Sequence, residues 1–341
     1  MRNNNISIIR VLAMISIIIG HWCNWMHINL YQFGGIGVEI FLFISGYLYS
    51  NKKLNKGWLK SRWIKLLPPV WIMAAIVSVF YFFKYPFKDV IIRLFLYLTG
   101  FQGIGFIFNS IQLPGFEGLG QTWFITVILF CYVCLSLVKK IEQKYNLDII
   151  ISHYHLALII SIIVLTFVNY LGIQLSYLLQ FFIGYYAGKI YETKNKAKTW
   201  VNITFISLLL GVFRILTHRA IDGTILYDNV IATLSFNVIS IWIILSVVIL
   251  LDRNKVTTKL VANSKTWKHF DNLSYYLYIS HYPFIVGPYA VWNFLDSKFL
   301  CTLFFILISL IMAELLFGMH ILINRELRKF KYYNVLRRKK C

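Results

Sequence analysis

Runs of about 20 apolar residues recur along this chain, and they restrict its fold more than any other feature. A helix of that length crosses the ~30 Å hydrocarbon core of a bilayer with every backbone amide bonded inside the segment. Such runs lie near 6–24, 35–49, 66–83, 122–138, 148–169, 175–190, 200–216, 229–251, 275–291 and 299–321. Composition agrees: 59% of the residues are hydrophobic and only 14% are charged. A closed β-barrel would show short alternating strands instead. The sequence therefore predicts an all-α, polytopic transmembrane helical bundle of about ten helices.

The net charge of +21 sits mostly in the connections. The stretch SNKKLNKGWLKSRWIK (50–65) is rich in Lys and Arg and has no acid, and 139–146, 191–199, 252–274 and the tail are basic too. Basic loops mark the cytoplasmic side, so both termini are expected there, with 25–34 outside. The excess charge points to anionic lipid headgroups and not to nucleic acid. Residues 86–120 are expected to form a re-entrant or interfacial segment. They carry Lys88, Asp89 and Arg93, then a glycine-rich stretch, and irregular backbone at membrane depth must be enclosed by protein. The expected organisation is one integral-membrane domain over 1–330 and a basic cytoplasmic tail over 331–341, with no cleavable leader and no appended soluble domain.

Two ionisable residues interrupt the first run. Arg10 and His21 are eleven positions apart, which is three turns plus about 20°, so both lie on one helix face ~16 Å apart along the axis. Intramembrane ionisable groups mark function by default, yet Arg10 could simply snorkel and His21 could simply bond a neighbouring helix. Glu39 lies about one turn into the second run, at a depth comparable to His21. It reads either as the carboxylate that orients a catalytic imidazole or as a partner for some buried donor. Gly34, Gly35, Gly37 and Gly46 would let the first two helices approach closely. Lys60, Arg62 and Lys65 suit phosphate groups, although positive-inside charge explains them equally well. His281 lies inside a later run, while His153, His155, His218, His269 and His320 fall near helix ends or in loops. No metal-ligand spacing links these residues, and Cys131 and Cys134, one turn apart in an apolar run, read as packing residues.

Several stretches together resemble the acyltransferase-3 family of bacterial membrane acyltransferases. RVLAMISIIIGH (10–21) is similar to its opening motif of a basic residue, ten residues and a histidine. GVEIFLFISGY (37–47) resembles its second-helix pattern, and SYYLYISHYPF (274–284) its C-terminal Ser-Tyr…His-x-Pro stretch. WLKSRWIKLLPPVW (58–71) resembles the basic segment before its third helix, with Lys65 where the family often has a second arginine. QTWFIT (121–126) resembles its Trp-led fourth helix, without the glutamates of some relatives.

The resemblance implies a bacterial inner-membrane O-acyltransferase. It would move an acyl group, usually acetyl, from cytoplasmic acyl-CoA to a hydroxyl of a cell-surface glycan or its lipid-linked precursor. Acyl-CoA would be a substrate, and no tightly bound cofactor or metal is implied. On this reading His21 and Glu39 are catalytic. Arg10, Arg62, Lys65 and His281 hold CoA, and Ser45, Tyr47 and Trp123 are candidates for the oxyanion or the acceptor. A polysaccharide exporter or flippase of the same fold, and an acyltransferase for a small amphiphilic metabolite, are the alternatives. A pure conduit has no need of a base paired with a carboxylate.

Overall fold

The computed structural model describes residues 4–28, 32–108, 110–144, 176–190, 233–253 and 264–338, with isolated positions between 164 and 216. The expected spans near 148–169 and 200–216, the loop 191–199, and His153, His155 and His218 lie outside the described residues, but for those isolated positions. The described chain is helical, with a single isolated bridge between Phe108 and Ile173. Its helices are α1 (Asn4–Trp25), α2 (Gln32–Tyr47), α3 (Trp58–Lys84), α4 (Phe87–Thr99), α5 (Trp123–Lys144), α6 (Ser176–Ile190), α7 (Thr233–Arg253), α8 (Lys265–Ser280) and α9 (Lys298–Arg338). Four stretches, Asn5–Trp25, Trp58–Lys84, Gly120–Lys144 and Lys298–Glu326, are long and apolar enough to cross a membrane. The described residues form an all-helical, membrane-embedded protein. The described residues support fewer spans than the ten expected.

Glycines set the inner helix seam. A Cβ on Gly37 would lie 2.6 Å from the Ala13 carbonyl oxygen, so α2 can lie against α1 only with glycine there. The match of Gly34 with Gly20 and of Gly37 with Ala13 makes α1 and α2 antiparallel. Gly46 does a different job from the one expected of it. It faces α6, where an added Cβ would stand 1.9 Å from the Phe181 carbonyl oxygen, and Gly184 answers with 2.0 Å to that of Phe43. Gly35 is exposed. Gly188 stands one turn further along α6 and meets Tyr47 and Ser50 at the end of α2, so from Phe43–Gly184 to Ser50–Gly188 the numbers rise together and α2 and α6 are parallel. α7 closes the same side, with Ile244 packed among Ile9, Ala13, Ile40, Phe43 and Ile44.

Two boundaries differ from expectation. α3 starts at Trp58, so Pro68 and Pro69 lie inside the helix instead of ahead of it. Each proline removes an amide and frees a carbonyl one turn back, a cost that tertiary contacts can meet. Here the Tyr275 hydroxyl donates to the neighbouring Leu66 carbonyl at 2.5 Å. Lys60, Arg62 and Lys65 therefore project from the first turns of a helix. The expected span 275–291 is displaced as well. α8 runs from Lys265 to Ser280, and Pro283 stops it because it cannot supply the next amide. Irregular backbone follows to Ser297, with Gly287 at φ 98°. α9 then continues unbroken to Arg338, across the expected boundary at 330.

The segment near 86–120 is half helix and half irregular. α4 runs back along α3, where Trp71 Nε1 donates to the Leu98 carbonyl at 3.1 Å, and Gly100 at φ 81° ends it. The return to α5 is tied down by side chains. Thr126 Oγ1 donates to the Gly100 carbonyl at 2.7 Å and accepts the Gly103 amide at 2.9 Å. Tyr81 and Tyr97 hydroxyls accept the amides of Glu117 and Phe116. The bundle thus has a basic end, with Arg62, Lys139 and Lys189, and an opposite end where α1 and α8 finish.

Candidate active site

α1 and α8 run parallel and meet through polar pairs. Trp267 Nε1 donates to Ser7 Oγ at 3.1 Å. One turn further, Arg10 Nε donates to Asp271 Oδ1 at 2.9 Å, and Arg10 Nη2 bonds the same oxygen. At the far end, His21 Nδ1 lies 2.8 Å from His281 Nε2. Arg10 and His21 therefore share a face, as their spacing predicts, and that face is turned to α8.

The geometry of the two histidines assigns their protons. The rings are 12° from coplanar with centroids 5.2 Å apart. That separation is too large for face-on contact, ~3.5–4.0 Å between carbons, and suits two rings meeting edge to edge in one plane. His281 is fully buried, and its Nδ1 lies 3.1 Å from the Leu277 carbonyl oxygen. A carbonyl only accepts, so Nδ1 carries the hydrogen and Nε2 carries the lone pair. His21 Nδ1–H must then donate to His281 Nε2. The lone pair of His21 is left on Nε2, where it can accept a proton. The ring of Tyr282 meets His21 edge-on, with centroids 4.9 Å apart, and limits its rotation.

Glu39 is not the group that orients His21. It is buried, its Oε2 has no hydrogen-bond partner among the described residues, and it lies near Cys131 and Tyr177. The reason is helical phase. Gly37 faces α1, and a residue two positions on points about 200° away, toward α5 and α6. Ser45 and Tyr47 are also out of reach of His21. Gly34 is level with Gly20, and Ser45 lies eleven residues further along α2, ~16 Å toward the basic end. Ser45 is beside the Tyr132 hydroxyl, and Tyr47 stacks on Phe43. Trp123 does start α5 at the His21 end, between Phe106 and Tyr177 at 4.9 and 5.0 Å.

Arg62 and Lys65 stay at the basic end. Arg62 Nη1 donates to the Tyr49 hydroxyl at 2.7 Å, and its carbon lies 5.8 and 5.9 Å from the rings of Tyr49 and Trp58. Its Nε is buried without a partner among the described residues. Lys65 is near His320 of α9. Arg10 is engaged by Asp271 of α8.

Two residues were missed from sequence. Asp271 lies within the basic stretch 252–274, yet it is the one acid in α8 and stands ten positions before His281, as Arg10 stands eleven before His21. Gln121 is buried beside the α8 terminus. Its Nε2 donates to the Ile279 carbonyl at 2.9 Å, and its backbone carbonyl accepts from Tyr278. No sequence pattern announces that contact. Among the described residues no group of three or more His, Cys, Asp or Glu could hold a metal ion.

The family model of acyltransferase-3, described as an acyltransferase domain, matches residues 3–319. No curated protein and no solved structure is detectably similar to the chain.

Proposed function

The chain belongs to the acyltransferase-3 family, and from that premise we propose that it is an O-acyltransferase acting across the bacterial inner membrane. Its donor is acyl-CoA, acetyl-CoA in this reading. Its acceptor is a hydroxyl of an extracytoplasmic or lipid-linked cell-surface polysaccharide. The basic end faces the cytoplasm, with both termini there, as the positive-inside rule directs. The observation that carries the reaction is the 2.8 Å contact between His21 Nδ1 and His281 Nε2, which leaves a proton-accepting nitrogen at the end opposite the basic loops.

CoA is too polar to cross the bilayer. Its phosphates rest at the basic end on Arg62 and Lys65, and the unpartnered Nε of Arg62 supports that use. The pantetheine arm reaches upward, and the thioester meets the acceptor near His21. His21 Nε2 takes the hydroxyl proton as the oxygen attacks the thioester carbon. The C–S bond then breaks, and the CoA thiolate recovers the proton from His21. The products are an O-acyl ester and free CoA. His281 serves as the group that orients the base, in place of the CoA contact first expected of it. Trp123 is the remaining sequence candidate for the acceptor or the oxyanion.

The test is mass analysis of the surface glycan in cells that carry the gene or a variant. The protein with His21→Ala should reach the membrane at the normal level and lose acylation about 10²–10⁴-fold. Full acylation in that variant would leave the exporter reading standing in its place.

A further inference from the structure

Arg10 and Asp271 form a part-buried pair that no step of the proposed reaction uses. Asp271's side chain is fully buried and Arg10's is 34% exposed. Arg10 presents Nε and Nη2 to Asp271, the edge of the guanidinium that would otherwise meet a phosphate in bidentate fashion. Nη2 also lies 3.4 Å from the Asp271 carbonyl oxygen. The same carbonyl accepts from Ser274 at 2.7 Å, which couples the pair to the next turn of α8.

The contacts along α1 and α8 keep nearly one offset. Ser7 with Trp267 and His21 with His281 are 260 residues apart, and Arg10 with Asp271 is 261 apart. The two helices are therefore held in register over ~21 Å. His281 closes the last turn of α8, and Pro283 prevents that helix from extending. The position of His281 thus depends on where α8 lies along α1. A slip of one residue moves it ~1.5 Å and turns it about 100°, enough to break a 2.8 Å contact. An ion pair with a fully buried carboxylate is well suited to forbid such slips, because each wrong register leaves Asp271 unpaired in low dielectric.

We propose that Arg10 is a positioning residue: through Asp271 it fixes the register of α8 on α1 and so holds His281 on His21. Its role is not to bind donor phosphate. The inference rests on the acyl-transfer reading, and it makes Asp271 as important to turnover as Arg10.

The experiment uses the full chain in bilayer nanodiscs, with acetyl-CoA as donor, native envelope glycolipid extract as acceptor and CoA itself as a binding probe. Arg10→Ala and Asp271→Asn should each lower kcat at least 10-fold while the KM for acetyl-CoA and the CoA affinity stay within about two-fold. The double variant should be no worse than the weaker single one, as for two residues acting as a unit. A phosphate role makes the opposite forecast. Arg10→Ala would then raise KM and weaken CoA 10-fold or more, and Asp271→Asn would leave turnover intact; either result overturns the proposal. If the single variants do not reach the membrane, Arg10→Met with Asp271→Leu leaves no charge buried alone. Unchanged CoA affinity in that protein supports the proposal, and a 10-fold loss overturns it. His21→Ala is the control: normal turnover there refutes the acyl-transfer reading itself, whatever Arg10 does.

Discussion

α2 with α6 and α1 with α8 are both parallel helix pairs in the same bundle, yet they are joined by opposite means. The first pair meets through glycine, with Gly46 and Gly184 each set against a carbonyl of the other helix. The second meets through polar side chains: serine with tryptophan, arginine with aspartate, histidine with histidine. In lipid, where no hydrophobic force separates helix from tail, both close packing and polar bonding can hold helices together. The difference lies in what each leaves behind. A glycine seam brings backbones close and carries no chemistry. A polar seam holds register through bonds that a reaction can also use.

The largest effect expected from this contrast is on the glycine side. Gly184→Val would drive side-chain carbons into the Phe43 carbonyl, where even a Cβ has only 2.0 Å. The backbones must part, and overpacking of this kind costs at least about 1–3 kcal/mol. Size-exclusion chromatography of detergent-solubilised protein should show loss of the monodisperse species. A normal profile would mean that α2 and α6 are not packed as described.

Next in size is a change at the far end of the polar seam. His281→Ala removes the acceptor for His21 Nδ1–H and frees the ring to adopt either tautomer. Acyl transfer should fall about 10²-fold, with the protein still folded and CoA still bound. A rise in donor KM with kcat unchanged would return His281 to a CoA contact. The smallest effect belongs to Glu39→Gln. Because Glu39 points away from α1, transfer should stay within about three-fold of the parent. A loss as deep as that of His21→Ala would bring the carboxylate back into the reaction.

Much of this arrangement was legible before any coordinates. Arg10 and His21 share a face because 3.6 residues per turn leaves eleven residues almost in phase. The family was readable from RVLAMISIIIGH, GVEIFLFISGY and SYYLYISHYPF in order, and the match over 3–319 agrees. Other features misled. Pro68 and Pro69 look like a boundary because proline usually is one, but a tyrosine from another helix bonds the carbonyl beside them. The run 275–291 looks like a span on hydropathy alone. The helix instead begins in the polar stretch from Lys265, where Asp271 and Lys268 disguise it as a loop. Glu39 has neither the depth nor the direction of His21: Gly34 is level with Gly20, and Glu39 lies five residues further along α2, ~7 Å toward the basic end, a register that an apolar run does not reveal.

The local rules written along the chain determined the apolar segments, the phase of Arg10 against His21 and the stop at Pro283, because each depends on residues within a few turns. Only the tertiary structure decided partners. Asp271 for Arg10, His281 for His21 and α6 for Gly46 join residues far apart in sequence, and which helix faces which is set by packing between helices that no local pattern records.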